Sequence, residues 1–154
     1  MITSERMTTY IHNRKATFNY EILNTYEAGL ILVGAEVKSI RAGKAKLEGS
    51  YIVVRGGEVY VVGLSITPYQ PLNTPKSYDP ERLRKLLLSK KEVLEIERNV
   101  DKDRLTAIPI KLYSVGSKIK LEVAIAKGKN QRDKRESLKA RDTKRDIERT
   151  LKSQ

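Results

Sequence analysis

The sequence predicts a mainly β fold, an OB-fold-like closed antiparallel β-barrel of about six strands with two or three short helices and a basic C-terminal tail. Its 154 residues, 39% of them hydrophobic and 32% charged, suit one globular domain. Short β-branched and apolar runs recur between turn residues. A closed barrel is favoured over an open sheet because closure leaves no unpaired edge strand. A split α+β sandwich is the alternative.

The first predicted elements are a hairpin and a short helix. Apolar and polar residues alternate over residues 18–23, and Glu27-Ala28-Gly29 predicts a turn into the apolar run 30–33. Residues 35–42 follow as a short helix. If that stretch is helical, Lys38 and Arg41 form a basic pair on one face. A solvated amphipathic helix without a ligand is the alternative.

The middle of the chain predicts a second hairpin and then a loop. Residues 50–55 and 58–64 are β-branched and apolar, and Gly56-Gly57 separates them. Glycine adopts a positive φ without steric cost, so this pair predicts a tight hairpin turn. Three prolines within residues 67–79 predict a loop between the two halves of the barrel.

Residues 80–98 carry helix punctuation and predict two helices that meet near Ser89. Asp79 can cap a helix with Pro80 at its first position. Ser89 and Glu92 have the S-x-x-E spacing of a capping box. Within the first of these helices, Leu86, Leu87 and Leu88 cannot all face the core, because consecutive residues are about 100° apart. One of these leucines is therefore expected to form a contact surface, and a buried helix junction is the alternative.

The last predicted strands cover residues 105–113 and 118–126. In the second of them apolar residues alternate with polar ones, which predicts one core face and one wet face. Lys120 lies on the wet face. We place the barrel domain at residues 1–126 and the tail at residues 127–154.

The tail carries half of the net charge and few large apolar residues. The whole chain has 31 Lys and Arg against 19 Asp and Glu, a net charge of +12, which favours polyanionic partners. The tail contributes 11 basic and 5 acidic residues, or +6. Such a segment is expected to be disordered when free. Its Lys, Arg, Glu and Ala content, with Ile147 and Leu151 one turn apart, favours a helix on a partner.

Several classes of function are excluded or disfavoured. The chain has no cysteine and one histidine, His12, which argues against metal sites, cofactor sites built on thiolates, and a cysteine nucleophile. Lys38 stands where a P-loop requires glycine. Glu27 and Glu36 are each a general base or a salt-bridge partner, and a salt bridge or an exposed turn position is favoured for both. We expect a non-enzyme. No apolar run is long enough for a membrane span, so we expect a soluble, cytoplasmic protein without a membrane partner.

Ordered sequence blocks over residues 13–135 resemble the small protein B family, the bacterial SsrA-binding proteins that bind transfer-messenger RNA (tmRNA). The blocks are Asn13-Arg14-Lys15-Ala16, Tyr26-Glu27-Ala28-Gly29, the run from Gly34 to Lys44, Ser50-Tyr51, Arg84-Lys85-Leu86-Leu87-Leu88, Ala126-Lys127-Gly128-Lys129 and Asp133-Lys134-Arg135.

The resemblance implies an adaptor of trans-translation, the rescue of stalled ribosomes. The barrel would bind the tRNA-like domain of tmRNA, and the tail would become helical in the empty mRNA channel near the decoding region of the small ribosomal subunit. Elongation factor Tu and alanyl-tRNA synthetase would be reached through the tmRNA. The alternative is a general OB-type RNA-binding or ribosome-associated protein.

The resemblance also assigns the site residues. It implies RNA contacts on the barrel at Glu27, Arg41, Leu87 and Lys120. The basic neighbours expected to share that surface are Lys15, Lys38, Lys44, Lys127 and Lys129. The ribosome-engaging tail residues are Gly128, Arg132, Asp133, Lys134 and Arg135.

Overall fold

The computed structural model describes residues 7–128, and antiparallel β-structure dominates them. The strands are β1 (Met7–His12), β2 (Tyr20–Leu30), β3 (Ala45–Lys46), β4 (Tyr51–Arg55), β5 (Glu58–Val62), β6 (Ser65–Ile66), β7 (Arg84–Leu87), β8 (Thr106–Val115) and β9 (Lys118–Gly128). The helices are α1 (Arg14–Asn19), α2 (Gly34–Arg41) and α3 (Lys90–Asp101), with a 3-10 turn at Pro71–Asn73. None of the described helices is long and apolar enough to cross a membrane.

Seven strands form one sheet in the order β1-β8-β9-β2-β7-β5-β4, and β3 pairs with β6 in a second, two-stranded sheet. The mainly antiparallel prediction is confirmed. The predicted closed barrel is not found among the described residues, because no ladder joins the edge strands β1 and β4. The sheet does curl enough for β4 to contact β8. A groove of about 430 Å³, lined by residues of α1, β4 and β8, lies in the remaining gap.

The hairpin predicted around Glu27-Ala28-Gly29 is wrong, because these residues lie inside the continuous strand β2. β2 pairs with β9 along almost its whole length, from Tyr20 opposite Gly128 to Gly29 opposite Lys120. Tyr26 and Ala28 are buried and Glu27 between them is exposed. Ladder hydrogen bonds from a strand nearly one hundred residues away in the chain therefore outweigh the local turn propensity.

The two other predicted hairpins are confirmed. β4 and β5 pair through Gly56 and Gly57, whose φ angles of 60° and 76° suit the turn. β8 and β9 pair from Thr106 opposite Ala126 to Val115 opposite Lys118. β8 contains a register shift between Pro109 and Lys111.

The helix predictions are confirmed in part. α2 occupies the expected stretch, and α3 begins at the predicted capping box, where Ser89 Oγ accepts from Glu92 N at 3.2 Å and Glu92 Oε1 accepts from Ser89 N at 3.0 Å. The helix predicted to start at Pro80 is wrong. Asp79 Oδ1 accepts instead from Glu81 N at 2.9 Å in a local turn, and β7 follows. β7 is a strand because it fits between β2 and β5 and pairs with both.

The core lies on the inner face of the curled sheet, beneath α2 and α3. Its most buried side chains include Ile40 of α2, Ile96 of α3, and Leu112 and Leu121 of the long hairpin. A smaller cluster covers the outer face, where Ala16 of α1 packs on Ile108, Ile110, Ala124 and Ala126. Neither α1 nor β1 was predicted from the sequence.

A buried ion pair joins α2 to β7. Glu36 and Arg84 are almost inaccessible to solvent, and Arg84 Nη2 donates to Glu36 Oε2 at 2.6 Å. Arg82 donates to the same carboxylate from the side of the solvent. Burial by itself raises the pKa of Glu36, but hydrogen bonds from Arg82, from the Val33 N–H and from Arg84 outweigh burial and lower it. This confirms Glu36 as a salt-bridge partner.

The N–H groups of Arg84 that do not bond to Glu36 donate to backbone carbonyls. Its Nη1 donates to the carbonyls of Leu64 at 2.6 Å and Arg82 at 3.1 Å, and its Nη2 donates to Pro80 O at 2.9 Å. A buried ion pair is tolerated only when its remaining polar atoms are satisfied, and these contacts meet that condition.

Glu36→Gln is expected to lower the free energy of unfolding by about 3 to 5 kcal/mol, because it leaves the Arg84 charge buried without a counter-ion. Urea denaturation at neutral pH measures this change. The matched control is Glu48→Gln, which removes an exposed pair with Lys15 and is expected to leave the unfolding midpoint unchanged.

The same pair predicts acid sensitivity. Because the folded state lowers the pKa of Glu36 below the 4.5 of a free glutamate, the contribution of the ion pair to stability is complete above that pH. The contribution is lost as the pH falls through the lowered pKa. Equal acid sensitivity in wild type and Glu36→Gln would contradict this assignment.

Candidate nucleic-acid interface

Strand register brings two of the sequence-predicted contact residues into one row. Leu87 of β7 lies opposite Gly29 of β2, Gly29 lies opposite Lys120 of β9, and Lys120 lies opposite Tyr113 of β8. Gly29 is closely approached, since a Cβ atom at this position would lie 3.2 Å from Leu87 Cβ. Leu87 is 52% exposed, so the predicted contact leucine is confirmed as exposed, although strand alternation rather than a helix exposes it.

A groove of about 370 Å³ lies beside this row. Apolar side chains of Leu30, Leu32 and Val37 line its floor together with Leu87, and the β8–β9 turn and Lys120 line its rim. The groove thus combines an apolar floor, suited to the face of a base, with ammonium groups suited to phosphates.

Arg41 reaches the same rim from the C-terminal end of α2. Its Nη2 donates to the carbonyl of Ser117, in the β8–β9 turn, at 3.0 Å. A cation at a helix C-terminus is favoured by the helix dipole. The exposed guanidinium is thereby held next to Lys118, which also lines the groove.

Glu27 lies two residues before Gly29 along β2, opposite Glu122 of β9, and Glu122 pairs with Lys111 Nζ at 3.4 Å. Burial, then the charges of Glu27 and Glu122 and a hydrogen bond to Glu27, raise the pKa of Tyr113 to about 12. Lys111 Nζ lies 5.2 Å from the centre of the Tyr113 ring. Glu27 is thus an exposed acceptor on a mixed-charge surface. The carboxylates of Glu27 and Glu122 repel each other across the strands, and the neighbouring Lys111 offsets that repulsion.

The other predicted basic residues are spread over different parts of the surface. Lys38 and Lys44 lie 5.9 and 5.7 Å from the centre of the Tyr69 ring. Lys15 forms an exposed salt bridge with Glu48 at 2.6 Å. Lys127 lies opposite Glu21, seven residues and roughly 23 Å along β9 from Lys120. The structure therefore does not bring Lys15 or Lys127 to the groove.

The remaining predicted tail residues lie outside the described residues, apart from Gly128, which ends β9 opposite Tyr20. Those outside are Lys129, Arg132, Asp133, Lys134 and Arg135. Within residues 7–128, no group of three or more His, Cys, Asp or Glu side chains is arranged to hold a metal ion. His12 is exposed at the β1–β8 pair, opposite Lys111.

Comparison with known proteins identifies the family. The family model described as SmpB protein matches residues 10–153. The chain belongs to the SmpB family. It is 48% identical over 142 residues to the SsrA-binding protein of Gloeobacter violaceus, covering 92% of this chain and 93% of that protein. It is 44% identical over 135 residues to the SsrA-binding protein of Mycoplasma mycoides, covering 88% and 91%.

A solved structure described as "tmRNA-SmpB: a journey to the center of the bacterial ribosome" is also similar. The two chains are 40% identical, with a TM-score of 0.65 over 83% of this chain and 93% of that one. The SmpB fold therefore extends to this chain.

Several residues of this candidate interface were not predicted from the sequence. Gly29 and Tyr113 enter it only through cross-strand register, and Tyr69 approaches Lys38 and Lys44 only because the proline-rich loop folds back on α2. The one available signal was the alternation of Lys118, Lys120 and Glu122 along β9, which predicted their common face but not their neighbours.

Tyr113 is expected to titrate later than a free tyrosine, near pH 12, and Glu27→Gln is expected to lower its pKa by removing a nearby negative charge. A spectrophotometric tyrosinate titration measures this, with Tyr113→Phe identifying the step among the eight tyrosines. Because Tyr113 holds its proton more tightly in the folded state, its full contribution to the free energy of unfolding is present below pH 10. That contribution is lost as the pH rises through 12. An unchanged titration in Glu27→Gln would refute the contact.

Proposed function

We propose that this chain is a tmRNA-binding adaptor of trans-translation, which carries tmRNA to stalled ribosomes in the cytoplasm and has no catalytic role. The observation that carries the proposal is the groove in which Leu87, Lys120 and the β8–β9 turn meet, with Arg41 of α2 held against that turn by its hydrogen bond to Ser117 O. Membership of the SmpB family supports it, together with a similar solved structure whose description joins tmRNA, SmpB and the ribosome.

The chemistry of the groove suits recognition of RNA by shape. Side chains cannot enter the deep major groove of an A-form helix, so a folded RNA is recognised through its backbone, its 2′-hydroxyls and its exposed bases. Arg41 and Lys120 supply donors for phosphates, Leu87 supplies an apolar contact, and Glu27 accepts hydrogen bonds from base amino groups or ribose hydroxyls. These four residues are proposed to contact the elbow of the tRNA-like domain.

We also propose that the curled sheet is an OB-like barrel in its functional state. The contact between β4 and β8 supports this, since it brings one edge strand onto the strand that lies next to the opposite edge. In this proposal residues 1–126 act as the RNA-binding domain and residues 127–154 as a separate ribosome-engaging segment. That segment becomes helical in the vacant mRNA channel, near the decoding region of the small subunit.

Arg41→Ala is expected to weaken binding to the tRNA-like domain about tenfold, because a charge-assisted contact is lost. Lys120→Ala is expected to weaken binding similarly. It is also expected to reduce the slope of log affinity against log salt concentration by about 1, which corresponds to one phosphate contact. The matched control is Lys102→Ala, at the exposed end of α3, which is expected to bind as wild type. Fluorescence anisotropy near physiological salt measures all three.

The same assay includes alanine tRNA and an unstructured RNA of equal length. If about six phosphates are neutralised, affinity falls roughly a thousandfold between 50 and 200 mM salt. Equal binding to all three RNAs would instead support a general OB-type RNA-binding protein.

Truncation after Gly128 is expected to leave affinity for the tRNA-like domain within a few fold and to abolish peptide tagging on stalled ribosomes. The reason is that the groove lies wholly within residues 29–120, whereas half of the net charge lies beyond residue 126. A reconstituted tagging reaction measures the effect, with thermal unfolding as the control for folding. Tagging at the wild-type rate would exclude the proposed role of the tail.

A further inference from the structure

Tyr69, in the proline-rich loop, lies beneath two lysine ammonium groups. Lys38 Nζ is 5.9 Å and Lys44 Nζ is 5.7 Å from the centre of its ring. Both distances are within the range of a cation–π interaction. Lys38 comes from α2 and Lys44 from the segment after it, and Thr67 N donates to Lys44 O at 3.0 Å, which ties the loop to this segment.

Neither lysine has a carboxylate partner among the described residues. Lys15, Lys85 and Lys111 each pair with a glutamate within 4 Å, but Lys38 and Lys44 do not. Two ammonium groups close to one ring concentrate positive charge around it, and a bound anion would neutralise that charge. Charge complementarity therefore points to a negatively charged ligand.

A largely apolar cavity of about 310 Å³ opens beside the ring. Tyr69 and Tyr78 line it with Pro68 and Pro75, and Ser39 of α2 closes one side. This volume is at the low end of ligand pockets, which span roughly 300 to 1,000 Å³, and suits one flat ring rather than a folded segment. Tyr69 is 39% exposed, so its ring is accessible.

The helix α2 connects this cavity to the groove. Val37 lines the groove and Arg41 contacts its rim, whereas Ala35 and Ser39 line the cavity, and Lys38 lies between the two sites. An RNA strand that leaves the groove over α2 would meet Lys38, Lys44 and Tyr69 next. The same RNA could therefore bind both the groove and the pair of lysines beside Tyr69.

We propose that Lys38, Lys44 and Tyr69 form a second RNA-binding site, which holds the backbone of a single-stranded segment on the two lysines and one unpaired base in the adjacent cavity. The site deepens the proposed function, since it extends the RNA-binding surface across α2. The lysines neutralise phosphates, and the tyrosines provide the aromatic wall against which bases stack in single-strand binders.

The test uses the ¹⁵N-labelled full-length chain and an unstructured uridine pentanucleotide. Amide shifts are expected at Ser39, Thr67 and Tyr69. Tyr69→Ala is expected to weaken binding about tenfold, and Tyr69→Phe, which keeps the ring, is expected to bind as wild type. The double variant Lys38→Gln, Lys44→Gln is expected to weaken binding. It is also expected to reduce the slope of log affinity against log salt concentration by about 2, which corresponds to two phosphate contacts.

Two controls separate the outcomes. Lys102→Gln removes an exposed charge at the end of α3 and is expected to change nothing. An abasic pentanucleotide with the same phosphates is expected to bind several-fold more weakly than the uridine probe. Equal binding of the abasic probe, or of a polyglutamate peptide, would overturn the site as a reader of bases.

The outcome for this site is distinguishable from that for the groove. Normal pentanucleotide binding by Tyr69→Ala would overturn the second site, even if Arg41→Ala still weakens binding of the tRNA-like domain. Loss of preference for the tRNA-like domain, with Tyr69-dependent pentanucleotide binding intact, would overturn only the proposed function. Circular dichroism of each variant verifies that the loop substitution leaves the fold in place.

Discussion

The buried ion pair between Glu36 and Arg84 fixes the arrangement of the elements that carry the candidate site. Glu36 belongs to α2, which ends at Arg41, and Arg84 begins β7, which ends at Leu87. A helix and a strand far apart in the chain are thereby held in one orientation. Removing two charges from water is costly, so this contact persists only because the surrounding carbonyls complete its hydrogen bonds. The geometry of the groove rests on that arrangement.

The long pairing of β2 with β9 supplies the second part of the surface. It aligns Gly29 with Lys120 and Glu27 with Glu122, so cations and carboxylates alternate along one face. A purely basic surface attracts any polyanion, whereas carboxylates in the middle of it penalise ligands that place a phosphate there. Under the proposed function, Glu27 lowers the general affinity for RNA and favours an RNA that presents a hydrogen-bond donor at that point.

The charge distribution divides the chain into parts with different roles in the proposed adaptor. The described residues bury a core and arrange a few basic side chains around a groove and a cavity. The tail carries as much net charge as all the rest of the chain in far fewer residues. Within that proposal, a rigid surface suits a folded RNA elbow, and the strongly basic tail suits a polyanionic partner.

The sequence by itself determined the mainly antiparallel class, both confirmed hairpins, the capping box of α3 and the family, because turn glycines, alternation and ordered motifs are local signals. Tertiary structure decided the rest. Residues 27–29 and Arg84–Leu87 carry local turn and helix signals, yet both are strands, since pairing with β9, β2 and β5 supplies ladder hydrogen bonds that local propensity cannot match. Register likewise placed Lys120 beside Gly29 and Leu87, and loop packing placed Tyr69 under two lysines, because such contacts depend on distances across the fold rather than along the chain.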